Sequence, residues 1–380
     1  MKRRTLAFTI AMVAVVLLGS GLLVEVVLRA YAGVADSGLA EALRADPYAV
    51  RIQPHGQAGY RPRPGRTVEY DNGTVAHIND MAFRGPAVQV PKPPGVLRIV
   101  LLGGSTTFGW GVDDHETIRH HMSEILRTRH GDPVFEVVNL AFDGYDSYQL
   151  LERLRSDGVA LEPDFVIVNT GVNDVANAWY RELRDGDRRS LLYRATMDRL
   201  RSEAERGGPT LWTRAKHWLY AARVPGWLRS EVALAGARSV AVDRPPPEPH
   251  WDFLDYFERN LERLVDLGSR SGSAVVLLST PPSSLLTRYE PTDPPIRHYW
   301  VVDAATTQVH RDSLTARMRA VASAKAAEGR PVAYVPHDEL PPAYFTDDAH
   351  LTSEGNRRVA EDFVAALEPW LTNDREGPAR

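Results

Sequence analysis

The sequence predicts an α/β protein in which a parallel sheet is covered by helices on both faces. Three observations lead there. Apolar, β-branched runs recur at 97–102, 134–141, 165–169, 274–280 and 332–335. Segments with apolar residues at helical spacing lie between them. Glycine, asparagine and aspartate gather where the runs stop. Runs that are apolar throughout suit strands buried on both faces, and strands that alternate with helices pair in parallel.

The chain begins with Met1-Lys2-Arg3-Arg4 and an apolar stretch from Leu6 to Val24. As a helix that stretch spans about 28 Å, close to the thickness of a bilayer core. The positive cluster precedes it, so the remaining chain is expected outside the cytoplasm, on the periplasmic side or at the cell surface. A cleaved signal peptide is the competing reading, because Ala30-Tyr31-Ala32 resembles a small-residue cleavage site. Residues 1–31 are thus read as a membrane anchor or signal peptide, the anchor being preferred on length. Residues 32–95 are rich in Pro, Gly, Arg and Tyr and read as a stalk and β-rich lead-in, with Asp71-Asn72-Gly73 as a hairpin turn.

From residue 96 to about 372 strands and helices alternate. A helix near 115–129 places Ile118, Met122, Ile125 and Leu126 on one face. A second is expected over 147–156. A third covers 251–268, with Gly268 as its stop. Helices near 312–328 and from Ser353 complete the pattern. An insertion at about 175–250 carries Trp179, Trp212, Trp218, Trp227 and many arginines. It reads as a helical cap with its own small core; the sharper alternative sets its aromatics over the site to stack on sugar rings. A smaller insertion covers about 283–309.

Composition narrows the chemistry. With 380 residues, 43% hydrophobic and 25% charged, the chain can bury a sizeable core. Net charge is −4 and basic residues are scattered among acidic ones, which gives no footprint for nucleic acid. There is no cysteine, so disulfides and thiolate metal sites are excluded. "HETIRH" is one residue too long for a His-Glu-x-x-His zinc motif, and its two histidines lie about 140° apart on a helix. His337-Asp338 reads as a polar loop. No metal or cofactor is expected.

The first strand breaks into Gly103-Gly104-Ser105. A phosphate loop would need lysine after Gly109, where Trp110 stands, and a dinucleotide fingerprint does not fit the register. A serine nucleophile is the alternative. A free hydroxyl is a poor nucleophile and requires a base, an orienting acid and donors for an oxyanion. Other strand ends supply candidates. Gly144 follows strand two, where its N–H can approach a substrate closely. Asn173 follows strand three and can offer a side-chain N–H. Asp347 lies three residues before His350 after the last strand, so one turn can set its carboxylate against Nδ1 and leave Nε2 for Ser105. Plain readings stand beside these. Ser105 can be a helix N-cap, Asn173 a turn residue, Gly144 a structural glycine, and Asp348 can replace Asp347 as orienter.

Gly103-Gly104-Ser105, Asn139 with Gly144, Gly171-Val172-Asn173-Asp174 and Asp347-x-x-His350 together resemble the four blocks of the SGNH (GDSL-type) hydrolases. The resemblance covers residues 96 to about 365, insertions apart. It implies a flavodoxin-like three-layer sandwich. Ser105 would be nucleophile, His350 base and Asp347 orienter, with an oxyanion hole from the Ser105 N–H, the Gly144 N–H and the Asn173 side chain. The aspartate that usually precedes the serine is Gly104 here. "NDMAFRGP" and the apolar start also resemble membrane-anchored members linked to cell-surface polysaccharides. The expected activity is hydrolysis of an O-acyl ester, an O-acetyl group on a glycan or a small molecule. An O-acetyltransferase with the same triad, or a non-catalytic glycan-binding or assembly protein, are the rivals. A Gly-x-Ser-x-Gly hydrolase is disfavoured because Thr107 stands where the second glycine belongs.

Overall fold

A computed structural model describes residues 52–55, 58–70, 72–131, 135–171, 173–174, 253–279, 304–336, 340–347 and 349–373. The apolar N-terminal segment, the stalk to residue 51, the insertion at 175–250 and most of the smaller one lie outside the described residues. So do His337, Asp338 and Asp348.

The chain runs β1 (Ile52–His55), β2 (Gly59–Pro62), β3 (Thr67–Glu69), β4 (Val75–His77), β5 (Leu97–Gly103), α1 (Ser105–Phe108), α2 (Ile118–His130), β6 (Phe135–Asn139), α3 (Ser147–Arg153), β7 (Phe165–Thr170), α4 (Phe253–Arg270), β8 (Ala274–Ser279), α5 (Ala304–Ala327), β9 (Val332–Val335) and α6 (Ser353–Asn373). The last five strands form one parallel sheet in the order β6-β5-β7-β8-β9. Strand order reverses between β5 and β7. In doubly wound sheets that is where a crevice opens outside the carboxyl ends of the strands.

Side-chain alternation along each strand divides the core into two layers. Ile99, Leu101, Ile167, Val276 and Leu278 pack on one face with Met122 and Leu126 of α2 and Phe363 and Leu367 of α6. Val100, Leu102, Val168, Val275 and Leu277 pack on the other with α3, α4 and α5, through residues such as Leu150, Phe257, Leu261 and Met318. Each fully buried side chain of this kind contributes about 1.5–3 kcal/mol. The expected parallel sheet with helices on both faces is what these layers form.

Three elements differ from expectation. Gly268 lies inside α4 rather than ending it. A Cβ there would come within 2.7 Å of Val275 Cγ2, so the glycine allows close helix–sheet approach, and the chain turns at Gly272, φ +88°. The helix expected over 147–156 ends at Arg153, and a π-turn at Leu154–Gly158 follows. α5 starts at Ala304, eight residues early.

The lead-in forms two antiparallel pairs, β1 with β2 and β3 with β4. The expected Asn72-Gly73 turn joins the second pair: Gly73 has φ +84°, and Asn72 Oδ1 accepts from the Thr74 N–H. Tyr60, Tyr70 and Ala76 of this layer join the core.

Candidate active site

Ser105 is the first residue of α1, directly beyond β5. Gly104 is the N-cap and no side chain caps the helix, so the Ser105 hydroxyl is not used as a cap. A side chain at Gly103 would collide with Thr107, and a Cβ at Gly104 would stand 2.7 Å from Asn173 Nδ2. The two glycines let the turn pass through a crowded place.

The strands on either side pin α1. Asn139 Nδ2, from the end of β6, donates to the Thr107 carbonyl at 3.1 Å. Asn169 Nδ2, from β7, donates to Thr107 Oγ1 at 3.0 Å. Thr106 Oγ1 donates to the Ala349 carbonyl at 3.0 Å, which ties the serine's helix to the loop that carries His350. The loop after α1 is held from below by Arg84 of the lead-in, 2% exposed. Its guanidinium donates to the carbonyls of Phe108, Gly109 and Val112 and pairs with Asp114.

His350 lies between β9 and α6. Asp347 Oδ1 accepts from the backbone N–H groups of Ala349 and His350, at 2.9 and 2.7 Å. Its Oδ2 lies 2.7 Å from His350 Nδ1, and His350 Nε2 lies 2.8 Å from Ser105 Oγ. A carboxylate only accepts, so Nδ1 carries the proton and Nε2 is the free acceptor facing the serine. Burial acts to raise the Asp347 carboxyl, but the hydrogen bond and charge of His350 and the two backbone N–H groups outweigh it and hold it below the usual aspartate range. The carboxylate therefore stays charged beside the imidazole.

A small cleft beside Ser105 is lined by Gly104, Thr107, Tyr145, Thr170, Gly171 and Asn173, among others. Asn173 Nδ2 donates to the Tyr145 carbonyl at 2.9 Å, which leaves its second hydrogen for the cleft. Gly144 is in the turn before Tyr145 with φ +74°, a conformation that favours glycine, and is not among the lining residues. Ser105, His350 and Asp347 are thus in contact and Asn173 is beside them. Gly144 is adjacent in sequence to the cleft rather than in it.

Sequence reasoning missed the supports. Arg84 stands out only as part of "NDMAFRGP", because a single arginine in a loop does not announce burial. Asp146 was also missed, and Asp174 entered only as the last residue of its block; both are buried. Asp174 accepts from the Ser147 N–H and from Thr170 Oγ1. Burial raises the Asp174 carboxyl, and burial with the Asp174 charge raises that of Asp146 well above the usual range.

The sequence profile of the GDSL-like Lipase/Acylhydrolase family matches residues 101–358. No curated protein matches the chain. Solved structures similar to it include three enzymes. One is a GDSL-like lipase from Bacteroides thetaiotaomicron, at 19% identity over 73% of this chain and 88% of that one, TM-score 0.37. Another is a psychrotrophic esterase from Pseudoalteromonas sp., at 13% over 72% and 98%, TM-score 0.39. The third is a variant of an acetyl-xylooligosaccharide esterase from Geobacillus, at 15% over 71% and 94%, TM-score 0.41. The profile runs from within β5 into the first turns of α6, and on that span the chain belongs to the GDSL-like lipase/acylhydrolase family and is a hydrolytic esterase.

Proposed function

We propose that this chain is an extracytoplasmic serine esterase, anchored by residues 6–24, which removes an O-acetyl group from a surface glycan. The observation that carries the catalytic part is the unbroken hydrogen-bond chain from Ser105 Oγ through His350 to Asp347, at 2.8 and 2.7 Å. The anchor rests on the length of the N-terminal apolar stretch and the charges before it. The glycan rests on the likeness of that start and of "NDMAFRGP" to membrane-anchored members of the family.

In this reading His350 Nε2 takes the Ser105 proton as Oγ bonds to the ester carbonyl carbon. The carbonyl electron pair moves onto oxygen, where the Ser105 N–H and the Asn173 amide receive it. Collapse expels the sugar alkoxide, which takes the proton from His350, and an acetyl-serine remains. Water then gives its proton to His350 and attacks the acyl carbon. Ser105 leaves, takes the proton back, and acetate is released. Asp347 keeps Nδ1 protonated and balances the imidazolium in each half.

Labelling with a fluorophosphonate probe followed by adduct mapping tests this. The adduct is expected on Ser105, with loss of labelling in Ser105→Ala. An adduct elsewhere, or none, rejects the mechanism. Acetate release from an O-acetylated polysaccharide, compared with a small aryl acetate, tests the substrate.

A further inference from the structure

Trp110 lies just past α1 and touches both ends of the Ser105–His350 pair. Its backbone N–H donates to the carbonyl of Ser105 at 3.0 Å. Its indole stacks on the imidazole of His350, with ring centroids 4.4 Å apart and planes 30° apart. The indole also meets Tyr70 of the lead-in hairpin edge-on, at 5.5 Å and 65°. Trp110 thus contacts two rings, Tyr70 from the lead-in and His350 from the site.

We propose that Trp110 is a positioning residue for His350, and that the Tyr70-braced indole fixes the plane in which Nε2 faces Ser105. This rests on reading Ser105 and His350 as nucleophile and base. The physical need is specific. The outer torsion of a histidine side chain is broad, so the backbone does not choose the ring plane. The hydrogen bond to Asp347 fixes one edge of the ring, and the bond to Ser105 fixes the other while the serine is free. Once Ser105 is acylated, that second bond is gone. The stack is then the contact that keeps Nε2 aimed at the acyl carbon, where the attacking water must be activated. The face of an indole also attracts a cation placed over it, and the imidazole is cationic between proton uptake and proton delivery.

The test compares full-length wild type with Trp110→Phe, Trp110→Leu and Tyr70→Leu. It measures aryl acetate turnover, the rate of fluorophosphonate inactivation and thermal unfolding. Phenylalanine keeps a stacking face and leucine keeps bulk without one. The expected result is kcat within about threefold of wild type for Trp110→Phe and a loss of 30-fold or more for Trp110→Leu, with KM falling alongside as deacylation becomes rate-limiting. Acyl-enzyme is expected to accumulate in Trp110→Leu, seen as a burst of phenol, because deacylation suffers more than acylation. Tyr70→Leu leaves the α1 loop intact and is expected to lower kcat three- to tenfold, which keeps the proposal testable if Trp110→Leu does not fold. In wild type the His350 ring protons are expected upfield from the indole ring current, a shift lost in Trp110→Leu. Equal losses in the Phe and Leu variants, an unchanged kcat in Trp110→Leu or in Tyr70→Leu, or a raised KM with unchanged kcat overturns the proposal. Failure of fluorophosphonate to label Ser105 in wild type rejects the underlying triad instead, so the two failures are distinct.

Discussion

The position where Gly104 would carry a Cβ lies 2.7 Å from Nδ2 of Asn173. The amide needs that space, because it is held there by its hydrogen bond to the Tyr145 carbonyl. Gly104→Ala should push the amide off its partner and lower kcat by about 10- to 100-fold, with little effect on thermal stability. Asn173→Ala removes the donor and is expected to cost about 10²–10³ in kcat. Assays of both variants beside the double variant check the relationship. If the two act through one amide, the double variant is no worse than Asn173→Ala.

Asp347 gives a prediction in pH. Its carboxyl is held below the usual range in the folded protein. The stability it adds is therefore present above the unfolded aspartate pKa of about 3.9 and is lost as pH falls through the lower folded value. Urea unfolding of wild type and Asp347→Asn should differ at pH 7 and converge toward pH 3. At neutral pH the amide can pair with the wrong imidazole tautomer, and kcat should fall by about 10³–10⁴.

Asp174 gives the opposite slope. Burial raises its carboxyl, so the folded protein binds protons more readily there than the unfolded chain does. That contribution is full below about pH 4 and declines as pH rises through the folded value. Asp174→Asn is expected to lessen the fall in unfolding free energy that raised pH brings between pH 5 and pH 8. Denaturant titrations at the two pH values measure it.

Arg84 is the stability test. Lysine has one ammonium and cannot reproduce a fork that serves several carbonyls and a carboxylate. Arg84→Lys should destabilise by about 2–4 kcal/mol, because buried carbonyls and Asp114 lose donors. Thermal unfolding measures this. Activity should fall as well, since the loop it holds begins one turn after Ser105.

The core strands were legible because sheets buried on both faces write themselves as unbroken apolar runs; Leu97–Gly103 and Val332–Val335 lie within a residue of where the runs placed them. Contact between Ser105, His350 and Asp347 was legible because strand ends on a parallel sheet share one rim, and because three residues suffice for one turn from Asp347 to His350. Gly268 was misread because a glycine near the end of a periodic segment looks the same whether it stops a helix or lets it approach a strand. The burial of Arg84, Asp146 and Asp174 was missed for a related reason. Burial of a charge is decided by partners that are distant in the chain, as Arg84 is from Val112, and no local pattern announces them.

Arg84 also bears on where this enzyme can be cut. A fragment starting at Leu97 would keep the whole parallel sheet and the entire family-matched segment. It would nonetheless leave the carbonyls beyond Ser105 without their guanidinium, and the Tyr145 hydroxyl without the Tyr60 oxygen that receives it. The segment shared with relatives thus starts downstream of side chains that the loop beyond Ser105 leans on.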